Sequence, residues 1–339
     1  MLRFAIPSKG ELEEPTLSFL RSSGLAVHRP NSRQYTARIP ALKDTTVLFQ
    51  RAADIPLKVA EGSVELGIAG LDTVQELIRE DAPISVLMED LQFGGCDLVI
   101  AVPETWIDVA SMVDLVEVAE ELRSQGLELR VATKYPRLTR QFLLQRGLNY
   151  FSLVAASGAM EAAPANGFAD VIADLSATGT TLRENGLKTL SDGTLLSSQA
   201  CLIGNLQRLR TVEGALRTTK TILEMTEAGM RARDYSTITA NIQGESADAV
   251  SALVMSRPEL AGMQGPTLAR VYSRHEEPAE WFAVTVVVPK RSLLEAVEHL
   301  REMGGSSVTV NAPQYVFEGA SQAYQRLQAV LGPIASGVA

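Results

Sequence analysis

A strand-type run ending in Asp174 leads into Leu175-Ser176-Ala177-Thr178-Gly179-Thr180-Thr181-Leu182, a string of small hydroxyl residues around one glycine that opens a helix-type segment. Such a loop can direct successive backbone N–H groups and several hydroxyls at one phosphate, and the start of a helix adds a favourable dipole. Ser176, Ala177, Thr178, Gly179, Thr180 and Thr181 are therefore the expected walls of a monophosphate cradle. Asp170 and Asp174, four apart on the incoming strand, are expected on one face, with Asp174 at the C-terminal end beside the cradle. Two carboxylates there suit the vicinal hydroxyls of a ribose, which need acceptors, and can support Mg²⁺ through water. Taken alone, the stretch is explained equally well as an N-capping hydroxyl turn with solvated aspartates.

Other charged residues recur just after strand-type runs. Lys9 follows the first strand in Pro7-Ser8-Lys9-Gly10, and Arg51 and Asp54 follow another in Phe49-Gln50-Arg51-Ala52-Ala53-Asp54. Asp72 closes Gly67-Ile68-Ala69-Gly70-Leu71-Asp72, and Lys134, Tyr135, Arg137 and Arg140 crowd one helix start. At the C-terminal ends of parallel strands such loops line the crevice where ligands bind. Each also has a plain structural explanation as a cap or a solvated charge.

The elements that must carry these loops alternate. Val64–Ala69, Asp97–Val102, Leu129–Thr133 and Asp170–Asp174 are short apolar runs that read as buried strands. Asp72–Glu80, Val113–Gln125 and Pro136–Gln145 carry apolar residues at helical spacing between them. The alternation predicts α/β layers with mainly parallel strands, and Phe93-Gly94-Gly95-Cys96 lets the backbone turn sharply between two lobes. Leu206–Met230 reads as one long connecting helix. From Tyr235 the order becomes strand (235–241), helix (246–256), strand (267–272), strand (281–288), helix (291–303) and strand (306–310), a βαββαβ ferredoxin-like unit. The Ala/Gly-rich tail from Leu331 is expected to fray.

Composition narrows the chemistry. A net charge of −9 over 339 residues argues against broad nucleic-acid or anionic-membrane binding, so any polyanion must be held locally. Three histidines (His28, His275, His299) and two cysteines (Cys96, Cys201), all far apart, leave no zinc motif and no disulfide framework. No stretch approaches the roughly 20 apolar residues that span a bilayer, and the short apolar run after Met1 is broken by Ser8-Lys9-Gly10, so a cytoplasmic location is expected.

SKGEL, FQRAADIP, ELGIAGLD, FGGCDL, VATKYPRLTRQFL and GAMEAAPANGFADVIADLSATGTTLRENGL, in that order, closely resemble the ATP phosphoribosyltransferase family as far as about Asn205. The C-terminal part resembles the regulatory domain of the family's long form through Gly265-Pro266-Thr267-Leu268 and Leu300–Val308, with Ala312-Pro313-Gln314-Tyr315 where a Pro-Ile-Glu-Lys-like run is usual. The resemblance implies an α/β fold: a two-lobed, periplasmic-binding-protein-like catalytic part and a ferredoxin-like regulatory domain. Lobe I is expected over residues 1–93 and 181–220, lobe II over 94–180 and the C-terminal domain over 235–330. It also implies transfer of the phosphoribosyl group of phosphoribosyl pyrophosphate to N1 of ATP, with Mg²⁺, feedback inhibition by histidine and assembly into dimers and hexamers.

Carried onto this chain, the 5′-phosphate belongs in Ala177 to Thr181, with Ser176 also binding phosphoribosyl pyrophosphate, Asp170 and Asp174 on the ribose and Glu161 nearby. Lys9, Arg51, Asp72 and Tyr135 are the candidates for ATP, and Asp170, Asp174, Lys9 and Arg51 for catalysis; no metal ligands are assigned. Pyrophosphate leaves through an oxocarbenium-like transition state, which calls for stabilisation of a polyanion more than for a proton shuttle. The shortage of histidines agrees with that demand. The alternatives are a two-lobed small-molecule sensor without catalysis and a phosphoribosyltransferase with another acceptor base.

Overall fold

The computed structural model describes all residues except Ser32, Glu80, Ala156, Ser157, Ala159, 273–279 and 333–339. His275, the end of the 72–80 helix, the start of the stretch before Met160 and most of the tail therefore lie outside the described residues. Two compact units form: Met1–Arg21, Ala26–Thr218 and the residues from Arg326 make the first, and Ser22–Leu25 with Thr219–Gln325 the second.

The first unit begins with β1 (Leu2–Pro7), α1 (Glu13–Ser22), β2 (Thr36–Arg38), β3 (Thr45–Gln50), α2 (Ile55–Ala60), β4 (Leu66–Gly70), α3 (Leu71–Leu77) and β5 (Ile84–Met88). The chain then crosses to a second sheet through Gly94. Conformation favours glycine there: its φ is +70°, in the left-handed region, while an added Cβ would also press on the tip of the Leu12 side chain. The second sheet is built from β6 (Cys96–Pro103), α4 (Met112–Ser124), β7 (Leu129–Thr133), α5 (Pro136–Gln145), β8 (Phe151–Ala155), β9 (Val171–Ser176), α6 (Thr180–Glu184) and β10 (Leu187–Ser198). After Gln199, β11 (Ala200–Asn205) returns to the first sheet, whose order is β2-β3-β1-β4-β11-β5; the second has the order β10-β6-β9-β7-β8.

These two sheets are the two expected lobes, with two differences. The strands are mixed rather than mainly parallel. β1 runs parallel to β3 and β4, and β7 to β8 and β9, but β6 and β11, which each enter a sheet from the other one, pair antiparallel, as does the edge strand β10 against β6. The return to lobe I also comes after Ser198 and not at 181, since β10 pairs with β6 along the edge of the second sheet.

Apolar runs in the central strands are covered on both faces, as short Val/Ile/Leu-rich strands require. In lobe I, Ile55 and Val59 of α2 pack on Ala5, Ala69 and Ile203; in lobe II, Leu115 of α4 and Phe142 and Leu143 of α5 pack on Ile100, Val131 and Val171. Glu65 ties lobe I together. Its fully buried carboxylate takes Arg3 Nη2 at 2.7 Å, the Arg3 amide at 2.7 Å and Arg208 Nη2 at 3.0 Å.

The expected long helix over 206–230 is two helices, α7 (Leu206–Thr211) and α8 (Ala215–Ala232), separated at Gly214, where φ is +71°. In the second unit β12 (Tyr235–Gly244), α9 (Ala247–Val254), β13 (Thr267–Val271), β14 (Glu280–Pro289), α10 (Leu293–Glu302) and β15 (Ser306–Asn311) form an antiparallel sheet of order β13-β14-β12-β15. This is the ferredoxin-like unit. Ile238, Ala240 and Ile242 alternate inward beside Phe282, Val284 and Val286, under α9 and α10. A further helix, α11 (Gln322–Leu331), was not legible in the sequence.

Candidate active site

β9 delivers the hydroxyl loop at its C-terminal end. Ser176 Oγ accepts the Gly179 N–H at 3.0 Å, and Gly179 turns the chain at φ +71° into α6. Thr178 Oγ1 and Thr180 Oγ1 lie 3.0 Å apart, and Ala177, Thr178, Thr180 and Thr181 are exposed to solvent. Arg183, which the sequence reading missed, reaches back from α6 to the Thr178 carbonyl and Thr180 Oγ1, both at 3.3 Å. Its spacing of three from Thr180 on a helix start was the available signal. The loop thus combines hydroxyls, a tight turn and a guanidinium.

Asp174 stands at the base of this loop, half-buried, with its Oδ1 accepting the Leu175 N–H at 2.9 Å. Burial pushes its carboxyl above the ordinary aspartate value, the Leu175 N–H and Lys134 pull it down, and Glu161 pushes it up again. Glu161, in a short turn over Met160–Ala162, and Lys134, just beyond β7, are therefore its electrostatic neighbours.

Asp170 is not among them. It precedes β9, and four residues at about 3.3 Å each separate it from Asp174 by roughly 13 Å along the strand. Both of its oxygens are taken by Arg130: Nη2 at 2.7 Å on Oδ1, with Nε at 3.2 Å and the backbone N–H at 2.8 Å on Oδ2. The expectation that it sits beside the cradle is corrected on that ground. Its carboxylate joins the starts of β7 and β9.

Asp72 and Tyr135 meet each other. Asp72, in the first turn of α3, is buried and accepts Ser198 Oγ at 2.8 Å, Thr73 Oγ1 at 3.0 Å and the Tyr135 hydroxyl at 2.8 Å. Burial and the Asp72 carboxylate hold the Tyr135 phenol far above its ordinary value, so it remains a donor. This node joins lobe I, the end of β10 and the start of α5. Burial and Asp72 likewise push the nearby Cys96 thiol up to about 11.

Lys9 and Arg51 line a third feature, a cavity of about 660 Å³ in lobe I. Arg29 and Arg33 also line it, against the acids Glu13 and Asp54, which makes it cationic on balance. Arg29 lies 4.0 Å from the centre of the Phe49 ring and donates Nε to the Gln34 carbonyl at 2.6 Å, so its guanidinium is fixed in place. Arg29 and Arg33 were missed because they sit in the polar segment 28–35 without helical or strand periodicity.

The predicted residues fall into three groups: Asp174, Glu161 and 176–181 on lobe II, Lys9 and Arg51 on lobe I, and Asp72 with Tyr135 between them. Among the described residues no set of three or more His, Cys, Asp or Glu side chains could hold a metal ion, and no helix is long and apolar enough to cross a membrane.

Residues 51–227 match the family described as ATP phosphoribosyltransferase (HisG), and residues 232–312 match the HisG C-terminal domain. The chain is 38% identical over 335 residues to ATP phosphoribosyltransferase 2, chloroplastic, of Arabidopsis thaliana, covering 98% of this chain and 81% of that protein. It is 35% identical over 332 residues to the ATP phosphoribosyltransferase of Bradyrhizobium sp., covering 97% and 98%. Among solved structures, the ATP phosphoribosyl transferase (HisG:HisZ) complex of Thermotoga maritima aligns at 25% identity and a TM-score of 0.51, over 67% of this chain and 96% of that one. Full-length relatives at this identity, matched catalytic and C-terminal segments and a two-lobed fold agree: the chain belongs to the ATP phosphoribosyltransferase family, the enzymes of the first step of histidine biosynthesis.

Proposed function

We propose that phosphoribosyl pyrophosphate binds on lobe II, its 5′-phosphate in the 176–181 loop and its ribose hydroxyls on Asp174, with Glu161 alongside. ATP and the departing pyrophosphate then use the lobe I cavity. The observation that carries this reading is the pairing of opposite polarities: a half-buried carboxylate under a hydroxyl loop on one lobe, and Lys9, Arg29, Arg33 and Arg51 around one cavity on the other. Carboxylates accept hydroxyls, while clustered cations stabilise a leaving polyanion.

Adenine N1 attacks the anomeric carbon with its own lone pair. The C–N bond forms as the C–O bond to pyrophosphate breaks, and pyrophosphate departs with the bonding pair. Lys9 and Arg51 meet the charge that develops on it. Mg²⁺, when bound, would neutralise part of the charge on the pyrophosphate, and Asp174 and Glu161 are the acids that would hold its waters. Asp72 and Tyr135 act on geometry, since each is occupied by the other.

The test is direct: the chain mixed with ATP, phosphoribosyl pyrophosphate and Mg²⁺ should release pyrophosphate, with no release when ATP is replaced by another purine nucleotide. Absence of release in freshly assembled protein would overturn the reading. The second unit is the proposed histidine site and the means of assembly into dimers and hexamers, because this chain carries a HisG C-terminal domain of its own. A cytoplasmic site of action is part of the same reading, in keeping with the two free thiols, Cys96 and Cys201.

A further inference from the structure

Glu76 and Arg137 have no role in the site described, yet they join helix ends from opposite lobes. α5 starts with Pro136, which has no N–H, so its first free donors are the amides of Arg137 and Leu138. Its N-cap residue, Tyr135, supplies no side-chain cap. Glu76 of α3 accepts both amides, Arg137 N–H on Oε1 at 2.9 Å and Leu138 N–H on Oε2 at 3.0 Å. Arg137 Nε in turn donates to the Glu76 carbonyl at 3.0 Å, in the last turn of α3, where carbonyls lack intrahelical partners. Each helix end is thus capped from the other lobe, with a carboxylate at a positive dipole end and a guanidinium at a negative one.

The contact is rigidly connected to the chemistry. Asp72, one turn before Glu76, holds the Tyr135 hydroxyl. Beneath α5, the Tyr135 N–H donates to Thr133 Oγ1 at 2.9 Å, and Thr133 Oγ1 donates to the Ala173 carbonyl at 2.9 Å, one residue before Asp174. Fixing α5 against α3 therefore fixes Asp174 and its loop against lobe I.

We propose that Glu76 and Arg137 form an inter-lobe latch, positioning residues that set the distance between the anomeric carbon on lobe II and the attacking ring nitrogen brought by lobe I. The inference rests on the assignment of one substrate to each lobe. Displacement is steep in this distance, because misplacement of about 1 Å can cost on the order of a hundredfold in rate.

The experiment compares wild type, Glu76→Ala, Glu76→Gln, Arg137→Ala and the double alanine variant as full chains, reading kcat, KM for phosphoribosyl pyrophosphate, and amide exchange over 136–140. Glu76→Ala should lower kcat at least about tenfold, with KM for phosphoribosyl pyrophosphate within about threefold of wild type, because the lobe II loop is untouched. Glu76→Gln keeps one acceptor oxygen and should recover part of the loss. The double variant should be no slower than Glu76→Ala, since both changes break one device. Faster exchange at Arg137 and Leu138 with unchanged kcat would reduce Glu76 to a structural cap and overturn the latch. A wild-type chain that releases no pyrophosphate would instead overturn the substrate assignment, and the positioning role with it.

Discussion

Burial raises the Asp174 carboxyl, and the Leu175 N–H and Lys134 only partly offset it. A carboxyl with a raised folded pKa binds more protons folded than unfolded, so the chain loses stability as pH rises through the window between the ordinary aspartate value and the raised one. Asp174→Asn keeps an acceptor for the Leu175 N–H and has no charge to desolvate. It is expected to melt at or above the wild-type temperature at neutral pH, with the two converging in acid, while calorimetry shows phosphoribosyl pyrophosphate binding weakened by about 2 to 3 kcal/mol. A lower melting temperature with full affinity would remove Asp174 from the site. Asp170→Asn should do the reverse, lowering the melting temperature and sparing affinity, because Arg130 consumes both its oxygens. Sequence placed these two aspartates together on strand periodicity, but Asp170 precedes β9 and only Asp174 lies within it. It could not register that Asp170 is held by an arginine while Asp174 stands at the base of the hydroxyl loop.

At the scale of elements, the 176–181 turn depends on Gly179. A Cβ there would stand 3.0 Å from Arg183 Nη1 in a left-handed conformation that costs other residues about 1 to 2 kcal/mol. Gly179→Ala should weaken phosphoribosyl pyrophosphate binding severalfold while shifting the melting temperature by only a few degrees, a split that binding calorimetry and thermal melts resolve. Glu65 shows the opposite profile. Burial alone would raise its carboxyl, but Arg3 and Arg208 more than offset that and leave it below the ordinary glutamate value. Stability from this group is present above the ordinary range and disappears as pH falls through the lowered value. Glu65→Gln, which strands two guanidinium groups, is expected to cost about 3 to 5 kcal/mol in denaturant unfolding at neutral pH and progressively less in acid. Local pattern predicted β7 and α5 to the residue, Leu129–Thr133 and Pro136–Gln145, because proline at a helix start and buried apolar runs are local signals. It failed at Gly214, where apolar spacing continues on both sides of the break, and at β10, whose polar residues lie on an edge strand.

At the scale of the whole chain, the proposed division of labour between the two units can be tested on the intact protein through histidine. Histidine should slow amide exchange in the strands and helices of 235–311 and inhibit pyrophosphate release; inhibition with protection confined to 1–218 would move the inhibitor site to the first unit. The sequence by itself determined the family, the βαββαβ module and the hydroxyl loop after Asp174, since each is written in contiguous residues whose spacing carries the physics. Only the tertiary structure decided which charges are free to act. Asp170 is spent on Arg130 forty positions earlier, Asp72 on Tyr135 sixty-three positions later, and Arg29 and Arg33 join Lys9 and Arg51 around one cavity. Hydrogen bonds and ion pairs are satisfied by proximity in space, and for these side chains that proximity is created by strand crossings far apart in sequence.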